Sequence, residues 1–279
     1  MDNDLNLTIA EVIKKYHLLN DKHHSKSLGQ NFLCDVSLLD KIVNCALPFD
    51  NSDIVEIGPG PCGLTRSILQ LAKNRKIICI EKDIKLKPLH DNFMRNTTAN
   101  LRFIYADALE IDINSLTSND ITIISNLPYN VGTRLLQNWI KTLKKIKSMT
   151  LMFQTEVADR ICAKVGTKEY GRLSVLAQAT CDVEKCFNLS NKAFFPIPKV
   201  NSCVVKLIPN NRNIDYKSLE KITSIFFTYR RKTIKSIITK HLQNFDENKF
   251  ETLGISNSAR PDSLSVAEYI KITEFLKNI

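Results

Sequence analysis

The 279-residue sequence predicts an α/β domain on a largely parallel sheet, followed by a small all-helical domain. Three observations predict it. Strand-like and helix-like segments alternate from Asp53 to Leu207, the order that lays helices on both faces of a parallel sheet. A glycine-rich turn, Gly58-Pro59-Gly60-Pro61-Cys62-Gly63, joins the first strand of that series to its first helix. Beyond the polar, breaker-rich linker Pro209-Asn210-Asn211-Arg212-Asn213, nothing reads as a strand. The expected domains are residues 1–208 and 209–279.

Residues 1–25 form an N-terminal extension with one short amphipathic helix, opened by the capping-box pattern Thr8-Ile9-Ala10-Glu11. Strands are expected at 53–57, 76–80, 101–105, 121–125, 149–153, 183–189 and 202–208. Helices among them include 64–71, 85–95, 133–141 and 157–165. The last two strands flank a Pro-rich loop and suit an antiparallel pair. From Tyr216 onward the periodicity is helical, enough for three or four helices, with a turn at Gly254 and a stop at Arg260-Pro261.

Hydrophobic content of 43% and charged content of 24% are ordinary for a soluble globular protein. The net charge of +10 favours an anionic partner, nucleic acid before membrane surface. No apolar run is long enough to span a bilayer. The acids at Asp2 and Asp4 fit neither a secretory leader nor a mitochondrial presequence, so a cytoplasmic protein is expected. The eight cysteines form no Cys-x2-Cys pair, and several, such as Cys79 and Cys203, sit in apolar runs. They read as small buried hydrophobes, and no metal site is expected.

The chemistry begins at the first strand. Residues 54–65 run strand, Gly-x-Gly-x-x-Gly turn, helix. Gly58 and Gly60 let the backbone turn sharply and approach a ligand, while Gly63 allows close packing of helix on strand. Glu81, closing the second strand, can accept both hydroxyls of a ribose. That much indicates a nucleoside-containing cofactor without separating nicotinamide dinucleotides from S-adenosylmethionine.

Three features select S-adenosylmethionine: Glu56 two positions before the first glycine, Asp107 after the third strand, where it can accept an adenine amino group, and Asn126-Leu127-Pro128-Tyr129 after the fourth. Any one of the acids alone would pass for a solvated loop carboxylate. Four polar sites at four consecutive strand ends should converge, because ligands of open α/β sheets bind beyond the carboxyl ends of the strands.

The Asn126–Tyr129 loop is suited to holding a planar, weakly nucleophilic amine. Pro128 fixes its own φ and keeps Leu127 out of the helical region. Asn126 Oδ1 and the Leu127 carbonyl can accept the two N–H groups of an exocyclic amine, while the Tyr129 ring stacks on the heterocycle. The plainer alternative is a strand ending in an Asn-x-Pro turn.

With these motifs in place, the chain from about Lys26 to Leu276 resembles the ribosomal RNA adenine N6,N6-dimethyltransferases that act on the small subunit. Lys26-Ser27-Leu28-Gly29-Gln30-Asn31-Phe32-Leu33 looks like their N-terminal cofactor motif. Glu56–Gly63, Glu81-Lys82-Asp83, Asp107-Ala108-Leu109 and Asn126-Leu127-Pro128-Tyr129-Asn130 resemble the motifs that follow. Further segments fit downstream: 154–161, 170–175, Phe194-Phe195-Pro196-Ile197-Pro198-Lys199-Val200-Asn201-Ser202, Tyr229–Ile234 and Arg260–Ser265. Thr155 stands where the family commonly has Lys, and Phe195 fills a variable position.

The resemblance implies a Rossmann-like S-adenosylmethionine-dependent methyltransferase domain over residues 1–208 and a helical RNA-binding domain over 209–279. It implies cofactor contacts at Asn31, Leu33, Gly58, Glu81, Asp107 and Asn126. It also implies a target adenine sandwiched between Tyr129 and Phe194, the plainer alternative for Phe194 being a core aromatic beside Pro196. The implied substrate is a pair of adjacent adenosines in the 3′-terminal hairpin of 16S RNA, within the small ribosomal subunit.

RNA also needs phosphate contacts. Arg230, Arg231, Lys232, Lys235 and Lys240 lie in a stretch, 226–243, with no acid, and are expected to meet phosphates. Lys141, Lys144, Lys145 and Lys147 read equally as a second phosphate patch or a solvated helix end. A large-subunit RNA methylase conferring macrolide resistance, a ribosome-assembly factor and a dehydrogenase are the competing readings. A monomer is expected.

Overall fold

The computed structural model describes residues 4–19, 30–210, 212–241 and 252–277. The strands are β1 (Phe32–Leu33), β2 (Asp53–Ile57), β3 (Ile77–Glu81), β4 (Leu101–Tyr105), β5 (Ile121–Asn126), β6 (Ile146–Gln154), β7 (Cys181–Leu189), β8 (Phe194–Phe195) and β9 (Ser202–Pro209). The helices are α1 (Ile9–Lys15), α2 (Val36–Ala46), α3 (Gly63–Leu71), α4 (Lys87–Arg95), α5 (Gly132–Ile140), α6 (Thr155–Ile161), α7 (Arg172–Thr180), α8 (Tyr216–Thr228), α9 (Ile234–His241) and α10 (Val266–Lys277). Each expected strand is present within a few residues. α7 is an addition, lying in a segment rich in small residues where amphipathic periodicity is weak.

The chain divides into two compact units, one of Met1–Ala158 with Glu184–Ile208, the other of Asp159–Val183 with Pro209–Ile279. In the first, the main sheet runs β4-β3-β2-β5-β6-β9-β7. The pairs from β4 through β6 are parallel and β6 with β9 is antiparallel. β2 and β3 are buried at every position, so neither alternates: β3 is apolar from Ile77 to Ile80, and β2 buries Asp53 and Glu56 among its apolar residues. Cys79 is fully buried in β3, as expected of a small hydrophobe.

The strand order places the site. From β2 the chain moves outward through β3 and β4, then returns to β5 on the other side of β2. The crevice beyond the carboxyl ends of β2 and β5, where the winding reverses, is the place such sheets bind ligands. A separate antiparallel pair, β1 with β8, joins Phe32 to Phe195 and Leu33 to Phe194.

The second unit is helical among its described residues, apart from the strand ends it takes in. The segment around α7 belongs to it for physical reasons. Tyr170, fully buried, donates its hydroxyl to the Leu264 carbonyl at 2.9 Å, and Arg172 pairs with Glu220 of α8 at 3.4 Å. Arg260-Pro261, expected as a stop, instead opens a short 3-10 turn, Pro261–Ser263, that leads into α10. Ser265 and Glu268 cap α10 reciprocally, each side chain bonding the other's backbone N–H.

Candidate active site

A cavity at the carboxyl edge of the sheet collects residues from four strand ends. Gly58 and Gly60 follow β2, Glu81 closes β3, Asp107 follows β4 and Asn126 closes β5. Asn31 and Leu33, from the segment leading into and through β1, line it as well. Of the N-terminal motif, Lys26–Gly29 lie outside the described residues.

The glycine turn owes its shape to backbone geometry. Gly58 and Gly60 sit at φ +66° and +52°, where a side chain is strained. A Cβ on Gly60 would also stand 3.0 Å from the Phe32 ring. Gly63 does something other than expected: its Cβ would meet Ile9 of α1 at 2.8 Å and Leu39 of α2 at 3.3 Å. The close packing there is helix on helix, because α1 and α2 come over the start of α3.

Two buried carboxyls flank the turn, and their surroundings separate them. Glu56 accepts from Thr65 Oγ1 at 2.7 Å and from Cys79 Sγ at 3.6 Å, and burial pushes its pKa up to about 8. Glu81 accepts the N–H of Gly60 at 3.2 Å and of Asp83 at 2.9 Å. Burial raises its pKa to about 6, with those two N–H bonds pulling the other way. At neutral pH Glu56 is therefore the protonated acid and Glu81 the carboxylate. Asp107 has its pKa lowered by Lys82, whose Nζ lies 2.7 Å from Oδ2, and by the Leu109 N–H on Oδ1.

The loop after β5 is anchored at each residue. Ser125 Oγ donates to the Ile57 carbonyl at 2.7 Å and ties β5 to β2 just before it. Asn126 Nδ2 donates to the Asn31 carbonyl at 3.4 Å. A carbonyl can only accept, so this contact sets the amide's orientation and turns Oδ1 away from Asn31. Leu127 is buried, and the Pro128 carbonyl accepts from Val131 and Gly132, starting α5. Tyr129 lines the cavity, with its hydroxyl 2.5 Å from Ser202 Oγ on β9. Ser202 is buried and does not itself line the cavity, so it holds Tyr129 from behind.

Phe194 does not line the cavity. Expected to stack on a base, it is only 2% exposed and belongs to the core that includes Leu33 and Leu39. Successive residues of a strand face opposite ways, and Phe195, next to the buried Phe194, is 52% exposed although its partner Phe32 is buried.

The family model for ribosomal RNA adenine dimethylase matches residues 21–278. The chain belongs to the ribosomal RNA adenine dimethylase family. It is 41% identical over 260 residues to the ribosomal RNA small subunit methyltransferase A of Ehrlichia ruminantium, covering 92% of this chain and 97% of that protein. It is also 41% identical over 275 residues to the enzyme of the same name from Agrobacterium fabrum, covering 96% and 97%. Among solved structures, a dimethyladenosine transferase from Plasmodium falciparum superposes with a TM-score of 0.74 at 28% identity, covering 87% of this chain and 96% of that one. The 23S rRNA methyltransferase ErmE shares the fold, with a TM-score of 0.66 at 21% identity, covering 88% and 99%.

This dimethylase-family chain carries its expected phosphate-binding residues in the second unit, and one of them is otherwise engaged. Arg230 donates to Asp262 at 3.2 Å and to the carbonyls of Lys168 and Thr167 at 3.1 and 3.3 Å. The absence of a nearby acid in sequence misled, because Asp262 comes from a distant segment of the same unit. Arg231, Lys232 and Lys235 are exposed. In the other cluster, Lys145 donates to the Thr117 carbonyl at 2.6 Å and Lys147 pairs with Asp120 at 3.3 Å. Among the described residues no helix is long and apolar enough to cross a membrane.

Proposed function

We propose that this methyltransferase uses S-adenosylmethionine to dimethylate N6 of two adjacent adenosines in the 3′-terminal hairpin of 16S RNA. The observation that carries this is the Asn126–Tyr129 loop, held open to the same cavity as Glu81 and Asp107. The donor set fits the cofactor. Glu81 offers a buried carboxylate for the ribose hydroxyls, Asp107 an acceptor for the adenine amino group, and the glycine turn a close backbone approach. Asn31, Leu33 and Gly58 complete the cradle. The cofactor supplies an activated methyl group, so no metal is needed for the transfer.

The residues of the chain have the harder task, because the lone pair of an adenine amine is delocalised into the ring. Asn126 Oδ1 and the Leu127 carbonyl accept its two N–H groups and favour the pyramidal nitrogen of the transition state. Tyr129 stacks on the base, which must be unpaired or flipped to reach the loop. After one methyl a single N–H remains, and either acceptor suffices to hold it. Arg231, Lys232 and Lys235 supply phosphate contacts. The reading carries with it a monomeric cytoplasmic enzyme that takes part in small-subunit biogenesis.

The test is methyl transfer from labelled S-adenosylmethionine to small subunits lacking the modification, with large subunits and naked RNA alongside. Dimethyladenosine in the small-subunit RNA is the expected product. Label in the large subunit alone would overturn the substrate assignment.

A further inference from the structure

His90 lies on α4, and its side chain is completely buried. Its Nε2 is 2.8 Å from the carbonyl oxygen of Gly60, and its Nδ1 is 3.0 Å from the Tyr105 hydroxyl. The ring stacks on Phe103, with centroids 4.2 Å apart and planes 12° from parallel. These contacts determine the tautomer. A carbonyl only accepts, so Nε2 carries the proton, and Nδ1 must then accept from Tyr105. The imidazole is neutral, since burial lowers its pKa to about 4.

Gly60 is thereby gripped at both ends. Its carbonyl accepts from His90, and its N–H donates to Glu81, the proposed ribose-binding carboxylate. His90 itself does not line the cavity, so it acts on the turn from behind. We infer that His90 is a positioning residue, whose Nε2–H holds the Gly60–Pro61 peptide, and through it the glycine turn, in the orientation that serves the cofactor. This rests on the cofactor assignment above. A residue with no Nε2 donor leaves the buried Gly60 carbonyl only the weak Cys62 Sγ contact at 4.0 Å, so the Gly60–Pro61 peptide loses its hold directly beside the N–H that meets Glu81.

Two amide substitutions in the full-length protein separate this role from simple packing. In His90→Gln the amide nitrogen reaches the place of Nε2; in His90→Asn it does not. The expected result is a Kd for S-adenosylmethionine raised about tenfold in the Asn protein and less than about threefold in the Gln protein. At saturating cofactor, kcat stays within about twofold of wild type in both. Equal affinities in the two variants, or an Asn protein as tight as wild type, would overturn the inference. Should the Asn protein fail to fold, Tyr105→Phe provides the readout, since it removes the donor to Nδ1. A Kd raised about threefold supports the clamp, and an unchanged one overturns it. Nitrogen-15 correlation spectra of the wild-type imidazole test the grip without cofactor: a persistent Nε2–H signal supports it and an Nδ1–H signal refutes it. A wild-type protein that shows Nε2–H but binds no S-adenosylmethionine would instead sink the cofactor reading.

Discussion

The raised pKa of Glu81 makes cofactor affinity depend on pH in a calculable way. The ribose hydroxyls are donors, so they are held by the ionised carboxylate and far less by the protonated acid, which itself competes as a donor. With a pKa of about 6, Glu81 is roughly one-tenth ionised at about pH 5 and nine-tenths ionised at about pH 7. If only the carboxylate binds, the Kd for S-adenosylmethionine should tighten about tenfold between those values and level off above about pH 7. Folding stability moves the other way. An unfolded Glu ionises at its ordinary 4.5, before the folded one, so stability falls as pH rises from 4.5 through about 6. The opposite signs keep binding and unfolding from being confused. The assay is calorimetric titration across that range, with Glu81→Gln as the control. The variant should bind weakly and show no such pH dependence. A flat wild-type profile, or the same slope in Glu81→Gln, would falsify the assignment of the ribose to this carboxylate.

Other expectations follow from single contacts. Tyr129→Ala should abolish methyl transfer with cofactor binding retained, whereas Tyr129→Phe, which keeps the ring and loses only the bond to Ser202, should retain most turnover; labelled transfer and calorimetry together check both. Gly63→Ala places a Cβ 2.8 Å from Ile9 and should cost about 1–3 kcal/mol, read as a lower urea midpoint. Arg230→Ala should lower stability by about 1 kcal/mol, because its bonds are half-exposed, while changing RNA affinity less than Arg231→Ala does in a filter-binding assay.

The local chemistry was largely legible in the chain. Strand-turn-helix at residues 54–65, the acids at Glu81 and Asp107 and the loop Asn126–Tyr129 announced themselves because each is a short, contiguous pattern tied to a strand end. Even their convergence was readable, since parallel strands deliver their carboxyl ends to one edge. What escaped was long-range pairing. His90 reaches across thirty residues to Gly60, and nothing in its own helix marks it. The partner of Arg230, Asp262, is likewise remote in sequence, so a run without acids looked unpaired when it was not.

By itself, then, the sequence determined the order of elements and the polar groups at each strand end, because hydrophobic periodicity and turn chemistry are local. Only the tertiary structure decided which side chains were already occupied. Packing decided that Phe194 joins the core with Leu33 and Leu39 while its neighbour Phe195 stays exposed. Packing of α1 and α2 over α3 decided what Gly63 makes room for. Burial, which no local pattern measures, made Glu56 an acid and Glu81 a carboxylate within one cavity.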